Sequence, residues 1–275
     1  MPASNARAIE KAATLPADVI ILDLEDAVAP EGKDDARRRA AEAVRARPFG
    51  SREVVIRVNA LDTPWGADDL AAAVACEPDG ILAPKISSPA DVLAYAAAME
   101  GRAAKLWLMV ETCGALFELD QIARAAPGRL ATLVMGTNDL AKEMRCAPRA
   151  DRRPLWGALA STVAAARANR LAVLDGVSNA LEDGEDLREA CAQGVEFGFD
   201  GKTLIHPAQI AAANAAFSPS PDALAWARLV VAAFDDPQNA GKGAIRLEGK
   251  MVERLHLEDA RQLIAISETI RSQAF

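Results

Sequence analysis

The chain has 275 residues, a formal net charge of −8 and a pI near 5.0. At this length one large α/β barrel or two small domains can bury about 70–75% of the unfolded surface, and the acidic balance leaves no basic face for nucleic-acid phosphates or anionic lipid. The opening MPASNARAIEKAA has no apolar signal core, and no later stretch approaches the roughly 18–20 uncharged apolar residues of a spanning helix, so a cytoplasmic protein is expected.

Short apolar runs recur at Val19–Asp23, Val54–Val58, Gly80–Pro84, Leu106–Val110, Thr132–Gly136, Leu171–Leu174 and Phe197–Asp200, each followed by an alanine-rich segment of helical spacing. This alternation is the signature of repeated βα units and a parallel sheet. Most starts lie about 26 residues apart, the spacing of one barrel unit. The fold expected is α/β, a (β/α)8 TIM-type barrel over residues 1–218. Seven strands are visible, so the first is short or missing at the abrupt Met1-Pro2 start. Ser88-Pro89-Ala90-Asp91 reads as an N-cap, a first-position proline and an acidic first turn, with further helix starts near Asp183 and Pro207. From Pro219 the punctuation changes, and residues 219–275 read as a helical tail: one helix to about Phe234, a flexible arm over Ala240–Glu253, and a last helix from about Leu257. Cys76, Cys113, Cys146 and Cys191 show no CxxC pair and read as reduced thiols.

In a parallel barrel the polar residues at the carboxyl ends of strands face the active-site mouth. Nearly every run here ends in some: Asp23, Glu25 and Asp26; Arg57 and Asn59; Lys85; Glu111; Asn138 and Asp139; Asp175; Lys202 and His206. Glu111 and Asp139 offer oxygen ligands without histidine or cysteine, a set suited to Mg²⁺. Arg57 offers a planar fork for a carboxylate, and Gly136-Thr137 lets backbone N–H groups approach an anion. Such a site fits a dicarboxylate or a 2-oxo acid.

LDLEDAV at Leu22–Val28, VIRVN at Val55–Asn59, Pro84-Lys85, Glu111-Thr112, MGTNDLA at Met135–Ala141 and GFDGKTLIHPAQI at Gly198–Ile210 resemble the citrate lyase β-subunit and malyl-CoA lyase family (HpcH/HpaI aldolase-like), in order along nearly the whole chain. The resemblance implies a barrel in which Glu111 and Asp139 bind Mg²⁺, Arg57 binds the oxo-acid part, and the basic Arg7 and Lys11 contact coenzyme A phosphates. It also implies a cyclic homo-oligomer, a trimer or hexamer, in which the tail covers a neighbouring subunit's site. The family's carboxy-terminal GKMID-like motif carries an acid/base aspartate; here GKMVE places Glu253 there, one methylene longer.

The activity expected is that of a Mg²⁺-dependent carbon–carbon lyase converting a 3-hydroxyacyl-CoA such as malyl-CoA or citramalyl-CoA to a 2-oxo acid and an acyl-CoA. Arg57, Glu111 and Glu253 are its catalytic residues, with Gly136 and Thr137 beside the substrate. Alternatives are a malyl-CoA-type thioesterase, a citrate lyase β-subunit proper, or a non-catalytic regulatory member. Neither GxGxxG nor GxxxxGK[ST] follows an early strand, which excludes the usual nucleotide-binding α/β arrangements. His206 and His256, the two histidines, lack the serine or cysteine context of a nucleophilic triad.

Overall fold

The computed structural model describes residues 1–147 and 149–272. Two compact units are present, Met1–Ala216 and Phe217–Phe275.

The first unit is a curled, seven-stranded, all-parallel sheet in strict chain order, with helices between the strands. Its strands are β1 (Val19–Asp23), β2 (Glu53–Arg57), β3 (Gly80–Ala83), β4 (Lys105–Val110), β5 (Leu130–Met135), β6 (Ala172–Asp175) and β7 (Gly201–Lys202). Its helices are α1 (Ala6–Ala12), α2 (Lys33–Ala46), α3 (Gly66–Cys76), α4 (Pro89–Ala98), α5 (Cys113–Arg124), α6 (Thr137–Met144), α7 (Trp156–Ala168), α8 (Glu185–Phe197) and α9 (Ile210–Phe217). The eighth barrel position is reduced to a single parallel bridge between Pro2 and Asp23. Around it, Ala3 N–H donates to the Asp23 carbonyl and Asp23 N–H to that of Met1, so the chain starts as a stub of strand beside β1.

Parallel strands covered on both faces read as continuous apolar runs, which is why β1 to β6 were visible in the sequence. The seventh expectation is corrected. Phe197–Asp200 is not a strand: Phe197 closes α8, whose Leu187, Ala190, Cys191 and Gly194 form a buried stripe at helical spacing. Gly198, at φ 90°, caps that helix through N–H bonds to Gly194 and Val195, and only Gly201–Lys202 pair with β6. The Ser88 start is realised as a capping box with Asp91.

The second unit contains α10 (Pro221–Asp235), β8 (Ala244–Leu247), β9 (Lys250–Glu253) and α11 (Arg254–Ser272). The flexible arm expected over Ala240–Glu253 is instead an antiparallel hairpin, turned at Glu248 and Gly249, both at positive φ. Ile245 and Val252 are buried with Ala227, Val230, Phe234, Leu257 and Ala260 in a core of the unit's own. That apolar alternation carries only two buried positions, too short a pattern to be read from the sequence.

Candidate active site

Strand geometry gathers the site. Side chains alternate faces along a strand, so Val19, Ile21 and Asp23 share a face, as do Val55 and Arg57, and Trp107, Met109 and Glu111. Their apolar members belong to one interior cluster with Leu82 and Val134. Asp23, Arg57 and Glu111 are therefore the polar top of the layer that fills the sheet's inner face, and β1 and β2 pair in a register that sets Asp23 opposite Arg57.

Arg57 is largely buried, and its fork is already engaged. Nε donates to Asp23 Oδ1 at 2.7 Å and Nη2 to Oδ2 at 2.6 Å, while Nη1 lies 2.8 Å from Glu25 Oε2 in an ion pair without hydrogen-bond alignment. From the sequence alone this fork is expected to be open to a ligand. In the fold Asp23 takes its bidentate face, and an incoming anion meets only the outer N–H groups of the two terminal nitrogens. Burial alone would raise Asp23, but the Arg57 hydrogen bonds and charge, with the Glu25 backbone N–H, outweigh it and hold the carboxyl below its ordinary value.

Lys85 is the hub that the sequence reading did not assign a role. Pro84 ends β3, and Lys85 follows in the left-handed region at φ 53°, a conformation that costs a non-glycine residue on the order of 1 kcal/mol and recurs at functional sites. Its backbone N–H donates to Glu111 Oε1 at 2.9 Å. Its ammonium bonds Asp139 and lies 3.4 Å from Glu111, 3.6 Å from Glu25 and 3.8 Å from Asp26. Burial lowers this lysine's affinity for its proton, yet the Asp139 bond and the Glu111 and Glu25 charges outweigh it, leaving a firmly held cation. Glu111, 1% exposed, is pushed up by burial against the opposing pull of Lys85. Glu25 is also buried, and desolvation, with Glu111 and Asp26 nearby, lifts it to about 7 despite Arg57 and Lys85.

Behind this cluster lies a hydrogen-bonded support that no local pattern announces. Lys33, buried on α2, donates 2.8 Å bonds to the carbonyls of Leu24 and Glu25 and to Asn59 Oδ1. Asn59 Nδ2 donates to Leu24 O and to Asp69, which also accepts from Arg37 Nε at 2.6 Å. The loop after β1 is thereby fixed from three elements, and with it the carboxylate of Glu25.

Gly136 is shaped for its neighbour. A Cβ there would stand 2.4 Å from both Cβ and Oε2 of Glu111. Thr137, buried, opens α6, and Asp139 follows in its first turn. Glu111 and Asp139 thus face one point, marked by the Lys85 ammonium, with hard oxygen donors. Among the described residues no three His, Cys, Asp or Glu side chains form a metal shell. Two carboxylates completed by water and ligand are nevertheless how Mg²⁺ is commonly held, and these residues fit it.

Other expected positions lie apart from the cluster. Arg7 and Lys11 are exposed on α1, four residues apart, on the helix that follows the strand stub. Asp175 is sealed with Arg152 and Lys202: Arg152 Nη1 donates to both its oxygens, and Lys202 Nζ to one at 3.0 Å. Burial depresses the Lys202 ammonium, and the three tie β6 and β7 to the loop that precedes α7. His206 accepts the Ala208 N–H as a helix cap. Glu253, half-buried, ends β9 in the second unit, its N–H bonded to His256 Nδ1.

A parallel βα sheet whose strand ends collect carboxylates around two cations has the layout of an active-site mouth of the TIM-barrel kind. Residues 1–207 match the HpcH/HpaI aldolase/citrate lyase family, and the chain belongs to it. It is 46% identical over 270 residues to a (3S)-malyl-CoA thioesterase of Cereibacter sphaeroides, spanning 98% of this chain and 93% of that one. It is 32% identical to an L-malyl-CoA/β-methylmalyl-CoA lyase of the same organism, with the same coverage. The structure of protein CitE from Mycobacterium tuberculosis in complex with magnesium, acetoacetate and coenzyme A superposes with a TM-score of 0.79 at 32% identity, covering 98% of this chain and 96% of that chain. These relatives overturn the expectation of carbon–carbon lysis as the main activity: the thioesterases stand 14 identity points nearer (46 against 32) over the same span. Among the described residues no helix is long and apolar enough to cross a membrane.

Proposed function

We propose that this protein is a magnesium-dependent thioesterase that hydrolyses a 3-hydroxyacyl-CoA of the (3S)-malyl type. The observation that carries the reading is the 46% identity to (3S)-malyl-CoA thioesterases along 98% of the chain, together with a mouth built for an anionic hydroxy acid. Glu111 and Asp139 would hold the metal. When bound, Mg²⁺ supplies Lewis-acid charge at the hydroxy-acid end of the substrate. The outer N–H groups of Arg57 bind the malyl carboxylate, the backbone of Gly136-Thr137 lies against the same end, and Arg7 and Lys11 meet coenzyme A phosphates. Water adds to the thioester carbonyl and gives up a proton to a carboxylate. Glu25, lifted to about 7, is matched to that transfer at neutral pH. The C–S bond then breaks, the thiolate leaves and is protonated, and malate and free coenzyme A result.

Glu253 completes the site from a neighbouring subunit of a trimer or hexamer. Under subunit exchange, mixing Glu253→Ala with Arg57→Ala protein should therefore recover part of the activity that each lacks alone. No recovery despite proven exchange would remove Glu253 from that role.

The function itself is tested by incubating purified protein with (3S)-malyl-CoA and Mg²⁺ while following free thiol and malate. Hydrolysis releases the two in equal amounts. Formation of acetyl-CoA and glyoxylate without free thiol would refute it.

A further inference from the structure

The IHPAQ stretch performs a task that the proposed reaction does not use. Gln209 is fully buried, and all its amide positions are spent: Oε1 accepts the N–H groups of Ile205 and His206 at 2.9 and 3.1 Å, and Nε2 donates to the carbonyls of Ser178 and Ala180 at 3.0 and 2.6 Å. The two carbonyls flank Asn179. One buried side chain thus anchors the backbone on both sides of an exposed asparagine.

Asn179 faces Asn138, also exposed, which directly precedes Asp139 on α6. The two side chains exchange reciprocal amide hydrogen bonds, each 3.1 Å. A water-exposed pair of neutral amides adds little to stability, since water offers each partner equivalent bonds. Its fixed placement beside the carboxylate cluster is better explained by a ligand. Opened, the pair can bracket a trans secondary amide, one asparagine accepting from its N–H and the other donating to its C=O on the opposite edge. Neither amide carries a charge to pair with a phosphate, whereas an uncharged polar group needs none.

We propose that the Asn138–Asn179 pair is a specificity element that opens to bind a peptide-like amide in the carrier arm of the thioester substrate. This rests on the coenzyme A thioester reading above, because the pantetheine arm carries two such amides between the thioester and the phosphates. Gln209 is the positioning residue that keeps Asn179 in place for it.

The experiment compares wild type and Asn179→Ala on two thioesters of malate, one of coenzyme A and one of propanethiol, which has no amide. Asn179 is exposed, so its truncation leaves the core intact. The expected result is a KM for malyl-CoA raised ~5- to 10-fold, the worth of about one such hydrogen-bonded group, with kcat little changed and kinetics on the propyl thioester unaltered. Asn179→Gln, which keeps an amide, should recover part of the loss. An equal change on both substrates, or none on malyl-CoA, overturns the proposal while leaving the thioesterase reading intact. Absence of malyl-CoA hydrolysis by wild type overturns that reading, and this proposal with it.

Discussion

Gly136→Ala tests the site with a single methyl group. Gly136 has φ −103° and ψ 72°, outside the left-handed region that favours glycine, so the steric contact of the new methyl group is the main effect of the substitution. The added Cβ would stand 2.4 Å from Cβ and Oε2 of Glu111 and 3.0 Å from Met109 Cε. Ordinary contact begins near 3.4 Å. Glu111 must therefore move by about 1 Å, and it cannot rotate outward, being 1% exposed and bonded to the Lys85 N–H. Overpacking of this kind costs about 1–3 kcal/mol of stability. A 1 Å displacement of a catalytic group can cost on the order of 100-fold in rate. Calorimetric titration with Mg²⁺ should show affinity lowered by at least an order of magnitude, and steady-state hydrolysis a kcat reduced about 100-fold. A variant that binds Mg²⁺ and turns over like wild type would refute the placement of Glu111 at the metal.

Three further outcomes follow from the charges. Arg57→Met leaves Asp23 and Glu25 buried without their cation and should lower unfolding stability by about 3–5 kcal/mol, read from denaturant midpoints; a loss under 1 kcal/mol would mean that the pair is not structural. Glu25, raised from 4.5 to about 7, favours folding most when protonated: its contribution is full below pH 4.5 and lost as pH rises through 7. In metal-free buffer Glu25→Gln should therefore flatten the decline in stability over that window and gain up to about 3 kcal/mol above it, at about 1.4 kcal/mol per pH unit; an unchanged pH profile counts against the raised value. Lys85→Met removes the ammonium that competes with Mg²⁺ for Glu111 and Asp139, and should tighten Mg²⁺ binding about tenfold, a difference of about 1.4 kcal/mol, while destabilising the metal-free protein; weaker binding would show that Lys85 aids the metal rather than standing in its place.

Most of the sheet was legible because buried parallel strands must be apolar throughout, and the inward polar residues were legible because alternation carries Asp23, Arg57 and Glu111 up the inner face. What escaped depended on long-range geometry. Gly201–Lys202 forms a strand without an apolar run, held by its neighbour β6 rather than by propensity. The bidentate hold of Asp23 on Arg57 spans 34 residues, and the Lys33–Asn59 bond spans 26. In the sequence each of these residues is simply a polar side chain near a strand end. Lys85 could have been singled out: a lysine after proline at the end of a buried strand must either turn back over the mouth or leave it, and β1, β4 and β5 of the same sheet are each followed or ended by carboxylates.

Charge counting joins the fold to its chemistry. Setting aside the solvent-exposed Asp26, the carboxylates Asp23, Glu25, Glu111 and Asp139 face Arg57 and Lys85, so this set, fully ionised, carries an excess of two negative charges. Without metal the excess is relieved in part by the proton that Glu25 retains to about pH 7. A divalent cation relieves it completely and frees Glu25 to ionise, so metal binding and the readiness of that carboxylate are linked. The same cluster would polarise a malyl thioester whether its carbon–carbon or its carbon–sulfur bond were to break, because both reactions begin with the same anionic end held in place. Motifs confined to that cluster therefore specify the ligand and leave the broken bond undetermined. The discriminating groups are those that decide where water stands and where a proton goes; in the function proposed above these roles fall to Glu25 and Glu253. Arg57, Glu111 and Asp139 therefore point to the family, whereas the preference for thioester hydrolysis over carbon–carbon lysis rests on the 46% identical thioesterases.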